Sequence, residues 1–271
     1  MPTAFGLAVG MPQRTSASGG VASPDTVQFT ATSNNLSRST SSLSGSYTRA
    51  YGSLWVSLPA GNVDANMVIG IAIEDTSFTK NFVYFCGLDP LASPTNYLHE
   101  FTVITPAYVF PESVRKPDGS ASVQWMNVLF EVDTTEAAPA DRAKIYIGGT
   151  KQTPIDEISI TQNASITLGT GPHTIYVASQ STAQFGIVNA TALVRAVWVK
   201  FATTNLFDFD NATDRQNFIS VSRGYVTHQA TMGGQTADFW GAGAVTAWTG
   251  GGWTNSGGTS VAIGGVTSIP G

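Results

Sequence analysis

The chain reads as an all-β protein, a sandwich of antiparallel strands, on three observations. Between Ser122 and Phe207 it lays down four apolar runs, SVQWMNVLFEVDT, RAKIYIGG, HTIYVASQS and TALVRAVWVKF, each set off by turn residues. In the second run Ala143, Ile145 and Ile147 point one way while Lys144, Tyr146 and Gly148 point the other. That period of two, rich in Val, Ile, Tyr and Trp, belongs to half-buried strands. Outside one short segment, nothing keeps a 3.6-residue period over a useful length.

Along the chain, residues 1–24 hold Pro2, Pro12, Pro24 and a Ser-Gly-Gly patch without a sustained period, and read as an arm ordered by contact with something else. TVQFTAT, from Thr26, is a first strand, and the Ser/Asn-rich NNLSRSTSSLSGS after it is expected to be a surface turn. SLWVSL, MVIGIAIED and NFVYFCGL are three further strands, the last two nearly continuous in apolar residues and so central. Asp89 to Pro94 is a turn, NYLHEFTVITPAYVF another strand or an insertion, and Pro106, Pro111 and Pro117 punctuate a connection ending in KPDGS. The four strands named above follow, the first two joined by the turn TTEAAPAD.

NLFDFDNATDRQNFI is the one expected helix, with Asp210 or Asn211 as its cap. After Ile219 the chain turns Gly-rich, and short strands with aromatic punctuation fit it better than helix. Composition changes near residues 24 and 228. The expected organisation is an arm (1–24), one β domain (25–228) and a Gly/Trp-rich tail (229–271) that packs on the domain or on a partner.

Composition narrows the setting. Hydrophobic residues make up 42% of the 271, enough for a substantial core, but charged residues only 11%, against roughly 25% in an average globular protein. A surface of Ser, Thr, Asn and Gly suits an extracellular or particle-bound protein held among neighbours. The net charge of −5 and the lack of any Lys/Arg cluster give no footprint for nucleic acid. No apolar run approaches the ~20 residues of a membrane span, and the apolar stretch in MPTAFGLAVG lacks the basic leader of a signal peptide. The single cysteine, Cys86, excludes an internal disulfide and is read as a small buried hydrophobe.

WMNVLFEVDTTEAAPADRAKIYIGGTKQT resembles the central hairpin of laminin-G-like, concanavalin A-like jelly rolls, where a strand of the form W-x-x-V-x-F leads to K-x-Y-I/V-x-G. ITLGTGPHTIYVASQSTAQFGIVNATALVRAVWVKFATTNLFDFDN is similar to the rest of that module. The version with a D-R-x-K-I-Y run and an Arg-x-x-Phe-Ile helix end, here Arg215 to Ile219, is found in bacteriophage virion proteins, where a Gly-rich tail also follows. The likeness is good over 123–220 and weak over 26–220. It implies an antiparallel β-sandwich jelly roll with an N-terminal arm and a C-terminal tail. It also implies a virion location, other virion proteins as partners, and self-association. Where such modules carry Y-V-D-G, this chain has Tyr146-Ile147-Gly148-Gly149. No Asp/Asn cluster supplies the hard oxygen ligands of calcium, so no metal or cofactor is expected.

Glu131-Val132-Asp133-Thr134-Thr135-Glu136 matches the E-x-D-x-x-E pattern of glucanases on the same fold, whose retaining chemistry sets two carboxylates about 5–5.5 Å apart. Because the run leads straight into AAPAD, these carboxylates are expected to be solvated at a turn, and no catalytic residue is assigned. His99, His173 and His228 lack ligand spacing and are read as isolated polar or core histidines. Trp125 and Trp198 lie within strands and are expected in the core. Phe5, Leu7, Trp240, Trp248 and Trp253 are the candidate anchors for a protein partner. Under the alternative that the module binds a host surface glycan, Tyr225, Trp248 and Trp253 are the stacking candidates.

Overall fold

The computed structural model describes residues 26–29, 35–40, 43–57, 68–74, 80–88, 97–102, 108–110, 126–153, 160–168, 172–178, 192–219, 226, 228–243, 245–256 and 261–263. Regular structure there is almost entirely strand. The N-terminal half holds β1 (Thr26–Phe29), β2 (Asn35–Thr40), β3 (Gly45–Tyr47), β4 (Arg49–Ser57), β5 (Val68–Glu74), β6 (Lys80–Leu88), β7 (Tyr97–Thr102) and β8 (Tyr108–Phe110). β9 (Met126–Asp133), β10 (Ala143–Ile147), β11 (Thr150–Lys151), β12 (Ile166–Leu168), β13 (His173–Ala178) and β14 (Ala192–Ala202) follow, then the helix α1 (Ala212–Arg215). The rest is β15 (Thr231–Met232), β16 (Gln235–Thr236), β17 (Phe239–Ala242), helix α2 (Val245–Gly250), β18 (Thr254–Ser256) and β19 (Val261–Ile263).

Among the described residues eight strands form the larger sheet, in the order β11-β10-β9-β4-β14-β1-β19 with β17 also on β14, and seven form the other, β18-β2-β13-β5-β6-β7-β8. Every pairing in both is antiparallel. The fold is an antiparallel β-sandwich of the jelly-roll class. Leu54 and Val56 of β4, Val128, Phe130 and Val132 of β9, and Val197 and Val199 of β14 meet Leu36, Ile73, Ile175 and Val177 of the second sheet in one buried core. Period-two alternation produces this face directly. Gly52 lies opposite Phe130 in the β4–β9 ladder. A Cβ there would sit 1.9 Å from the Phe130 ring, so only glycine lets that ring lie across the strand.

The structure corrects several sequence expectations. NNLSRSTSSLSGS is not simply a turn: it supplies β2 and β3, and Leu36 is fully buried. One apolar residue among Ser, Arg and Thr was too little alternation to read as strand. NYLHEFTVITPAYVF gives two paired strands, β7 and β8. β10 is not half-buried, because all five of its residues are buried and both faces are covered. The expected helix shrinks to α1, capped by Asn211, whose side chain accepts the Thr213 N–H. The preceding residues are not helical, and Phe207 and Phe209 are buried.

The tail also differs from a run of short strands, since α2 interrupts it. β17, β18 and β19 hydrogen-bond to β14, β2 and β1, so the segment from residue 229 adds strands to both sheets. Gly148 and Gly149, at φ of 56° and 82°, make the two-residue turn between β10 and β11. That turn takes φ > 0 at both central positions, which Gly-Gly serves without the Asp of the related Y-V-D-G.

Candidate functional site

Among the described residues, one cluster of ionisable side chains lies on the outer face of the larger sheet. Alternation along β4, β9, β10 and β14 puts Tyr51, Leu129, Tyr146 and Trp198 on the face opposite the main core. There they form a second buried cluster with Phe207, Phe209, Phe218 and Met232. Residues 205–219 lie across this face as a strap. Phe207 stacks on Phe209 at 5.9 Å, and Phe218 meets Trp198 edge-on at 5.1 Å.

The strap is held by polar bonds as well as by rings. The Tyr51 hydroxyl donates to Asn205 Oδ1 at 3.1 Å and accepts the Leu206 N–H. Glu131 Oε2 accepts the Phe209 N–H at 2.9 Å. The carboxylate of Asp210 takes the Tyr146 hydroxyl at 2.5 Å, Lys144 Nζ at 2.9 Å and Lys151 Nζ at 2.8 Å. Arg215 lies over the Tyr146 ring at 5.1 Å and donates to the Phe209 carbonyl.

Burial sets the charges. Glu131 is 4% exposed, and desolvation pushes its pKa up to about 7 against the opposing pull of Lys144, 3.9 Å away, and of the Phe209 N–H. Burial also disfavours the charged Lys144, but Asp210, Glu131 and Asp208 outweigh it and hold the ammonium above its ordinary range. At Asp210 desolvation is likewise overcome, here by hydrogen bonds from Lys151, Tyr146 and Lys144, and the carboxyl stays below the usual range. Burial pushes the Tyr51 hydroxyl up to about 12. Beside the cluster, Asn127 Nδ2 donates to Ser53 Oγ, which lies 2.8 Å from His228 Nε2, while His228 Nδ1 donates to the Val226 carbonyl. Desolvation lowers the His228 pKa to about 4, which keeps the ring neutral at pH 7.

Glu131, Asp133 and Glu136 do not form a solvated group. Glu131 sits under the strap, and Asp133 is buried at the end of β9. There it pairs with Arg49 at 2.8 Å and accepts the Thr135 N–H and hydroxyl. Of the three only Glu136 is in reach of solvent, and it is partly rather than fully exposed at the turn. Sequence alone could not show this, because the covering strap comes some 75 residues later. The same turn is clamped by Arg142, whose guanidinium donates to the carbonyls of Glu136, Ala137 and Ile160 at 2.7 Å each.

Of the aromatic candidates, Trp248 and Trp253 are 0% and 3% exposed and pack edge-on at 4.8 Å within the main core. Neither presents a ring face to a sugar or a partner, which corrects both assignments. Trp240 is partly exposed, and its carbonyl accepts the Trp253 Nε1–H at 2.8 Å. Trp198 is buried, as are His173 and His228. Phe5, Leu7, Trp125 and Tyr225 lie outside the described residues, as do the side chains of Cys86 and His99. Among the described residues no group of three or more His, Cys, Asp or Glu is placed to hold a metal ion. No helix there is long and apolar enough to cross a membrane.

No family model and no curated protein matches the chain. Solved structures similar to it include mouse laminin α1 chain domains LG4-5, at 11% identity and TM-score 0.42 over 69% of this chain, which spans 44% of that one. Another is a tetrameric galectin from the ball sponge Cinachyrella, at 8% identity and TM-score 0.34, covering 59% of this chain and 96% of that one. A third is the CBM40 of Ruminococcus gnavus IT-sialidase bound to α2,6-sialyllactose, at 10% identity and TM-score 0.38, covering 68% and 95%.

Proposed function

We propose that the chain is a non-catalytic structural subunit of a virus particle, of the bacteriophage kind its sequence resembles, working through protein–protein contacts. One observation carries this reading. The two motifs behind the resemblance, Asp141-Arg142-Ala143-Lys144-Ile145-Tyr146 and the Arg215–Ile219 helix end, meet in a single clasp. Arg142 clamps the turn, Lys144 and Tyr146 hold Asp210, and Arg215 covers Tyr146. Arg142, Lys144, Tyr146 and Arg215 are thus engaged in holding chain to chain, which is the task of a scaffold. Deleting residues 1–24 is expected to leave the unfolding temperature unchanged and to abolish incorporation into particles. Normal incorporation of the truncated chain overturns the reading.

A second reading, glycan recognition, draws on the rim of the same clasp. Asp141, Lys151, Asp208 and Asp210 are each between 42% and 52% exposed along their side chains, and such carboxylates and ammonium groups pair with sugar hydroxyls. A glycan array probed with the purified chain is expected, on this reading, to show binding that Lys151→Ala removes. An array without reproducible signal excludes it.

A further inference from the structure

Among the described residues the larger sheet ends at β19, which pairs with β1 on one side and with no described strand on the other. The second side of the Val261–Ile263 backbone therefore offers N–H and C=O groups to an added strand. Thr26 lies opposite Ile263 in the β1–β19 ladder. The chain therefore enters β1 and leaves β19 at the same end of the sheet.

The sequence ahead of β1 has a pattern suited to such an edge. In Ala4-Phe5-Gly6-Leu7-Ala8-Val9-Gly10 the large apolar residues fall at every second position and Ala or Gly at the others. As a strand it would carry Phe5, Leu7 and Val9 on one face and almost nothing on the other. An added strand of this kind takes affinity from backbone hydrogen bonds and specificity from alternate side chains.

We propose that residues 4–9 of one copy add as a further strand to the β19 edge of a second copy. This deepens the reading of the chain as a self-associating particle subunit by naming the arm's partner and where it lands. Topology favours exchange between copies. Within one copy, a direct return of the arm to the far side of β19 would have to cross the sheet end at which the chain leaves β19, and connections rarely cross there. Between copies nothing needs crossing. Residues 10–25 extend to at most about 55 Å, enough to reach a neighbour.

The test uses the full chain. Sedimentation velocity is expected to show self-association, and Phe5→Asp/Leu7→Asp to weaken it at least tenfold with the unfolding midpoint unchanged. Leu7→Cys on one copy mixed with Ala262→Cys on another is expected to give a disulfide-linked dimer, absent from a control whose only cysteine is the native Cys86. A monomeric wild type, or a variant that associates normally, overturns the proposal. So does a chain carrying both new cysteines that closes the bridge within itself at high dilution. Particle incorporation is measured separately: normal incorporation without the cross-link sinks strand addition alone, and a cross-linked dimer absent from particles sinks the particle role alone.

Discussion

Replacing Trp248 with Ala is expected to cost the folded state about 3–5 kcal/mol, the range for emptying a buried large aromatic site. It would be read as a lowered urea midpoint at unchanged slope. The ring is fully buried, its Nε1–H donates to the Gly243 carbonyl at 3.0 Å, and it packs on Trp253. Gly241 of β17 is shaped to it, since a Cβ there would come within 2.3 Å of the indole. A loss below about 1 kcal/mol, the level of ordinary surface changes, would show the tail to be peripheral. The substitution has a second use. Because Trp248 is a core residue, any loss of ligand binding in Trp248→Ala would report unfolding, so a sugar-binding test must use the exposed rim instead.

Lys144→Met is expected to cost about 1–2 kcal/mol more at pH 8 than at pH 5, because the buried carboxyl it leaves behind takes up a proton rather than staying charged and unpaired. Glu131 has its folded pKa raised from 4.5 to about 7. The stability linked to its bound proton is present below about 4.5 and lost as pH rises through about 7. At pH 8 the wild-type carboxylate is charged and Lys144 offsets it. In the variant the loss of that pull raises the Glu131 pKa further, and the carboxyl takes up a proton, at about 1.4 kcal/mol for the one pH unit above 7. At pH 5 the carboxyl is protonated, and the loss reduces mainly to the Lys144 contact with half-exposed Asp210, worth at most about 1 kcal/mol. His228 moves the other way. Its pKa falls from 6.5 to about 4, so its contribution is present above 6.5 and lost as pH falls toward 4. Wild type and variant must therefore be compared at each pH. An equal loss at pH 5 and pH 8 would show that Glu131 is not what Lys144 offsets.

The strands that make the sandwich were legible because alternation is local: Val128, Phe130 and Val132, or Ile145 and Ile147, declare their inward face within a few residues. The same logic failed wherever a distant segment changed the environment. Lys144, Tyr146 and Glu131 look solvated on a half-buried strand, and only the return of Phe207 and Phe209 from beyond β14 buries them. β2 failed for the opposite reason, since one leucine among small polar residues is too weak a signal although its ladder with β13 is complete from Asn35 to Thr40. In the tail, glycine frequency hid α2. The hairpin β15–β16 turns on Gly233 and Gly234, at φ of 53° and 77°, a use of glycine that spacing alone does not separate from a flexible stretch.

The ladder pairing Val27 with Ala262 has a consequence for biosynthesis. A ribosome delivers β1 long before β14 and β19, its two neighbours in the sheet, and β2 long before β18. The nascent polypeptide cannot zip this layer up progressively. It must wait, with hydrophobic edges uncovered, until β19 emerges, which makes folding slow and places a premium on protection against clumping while translation is under way.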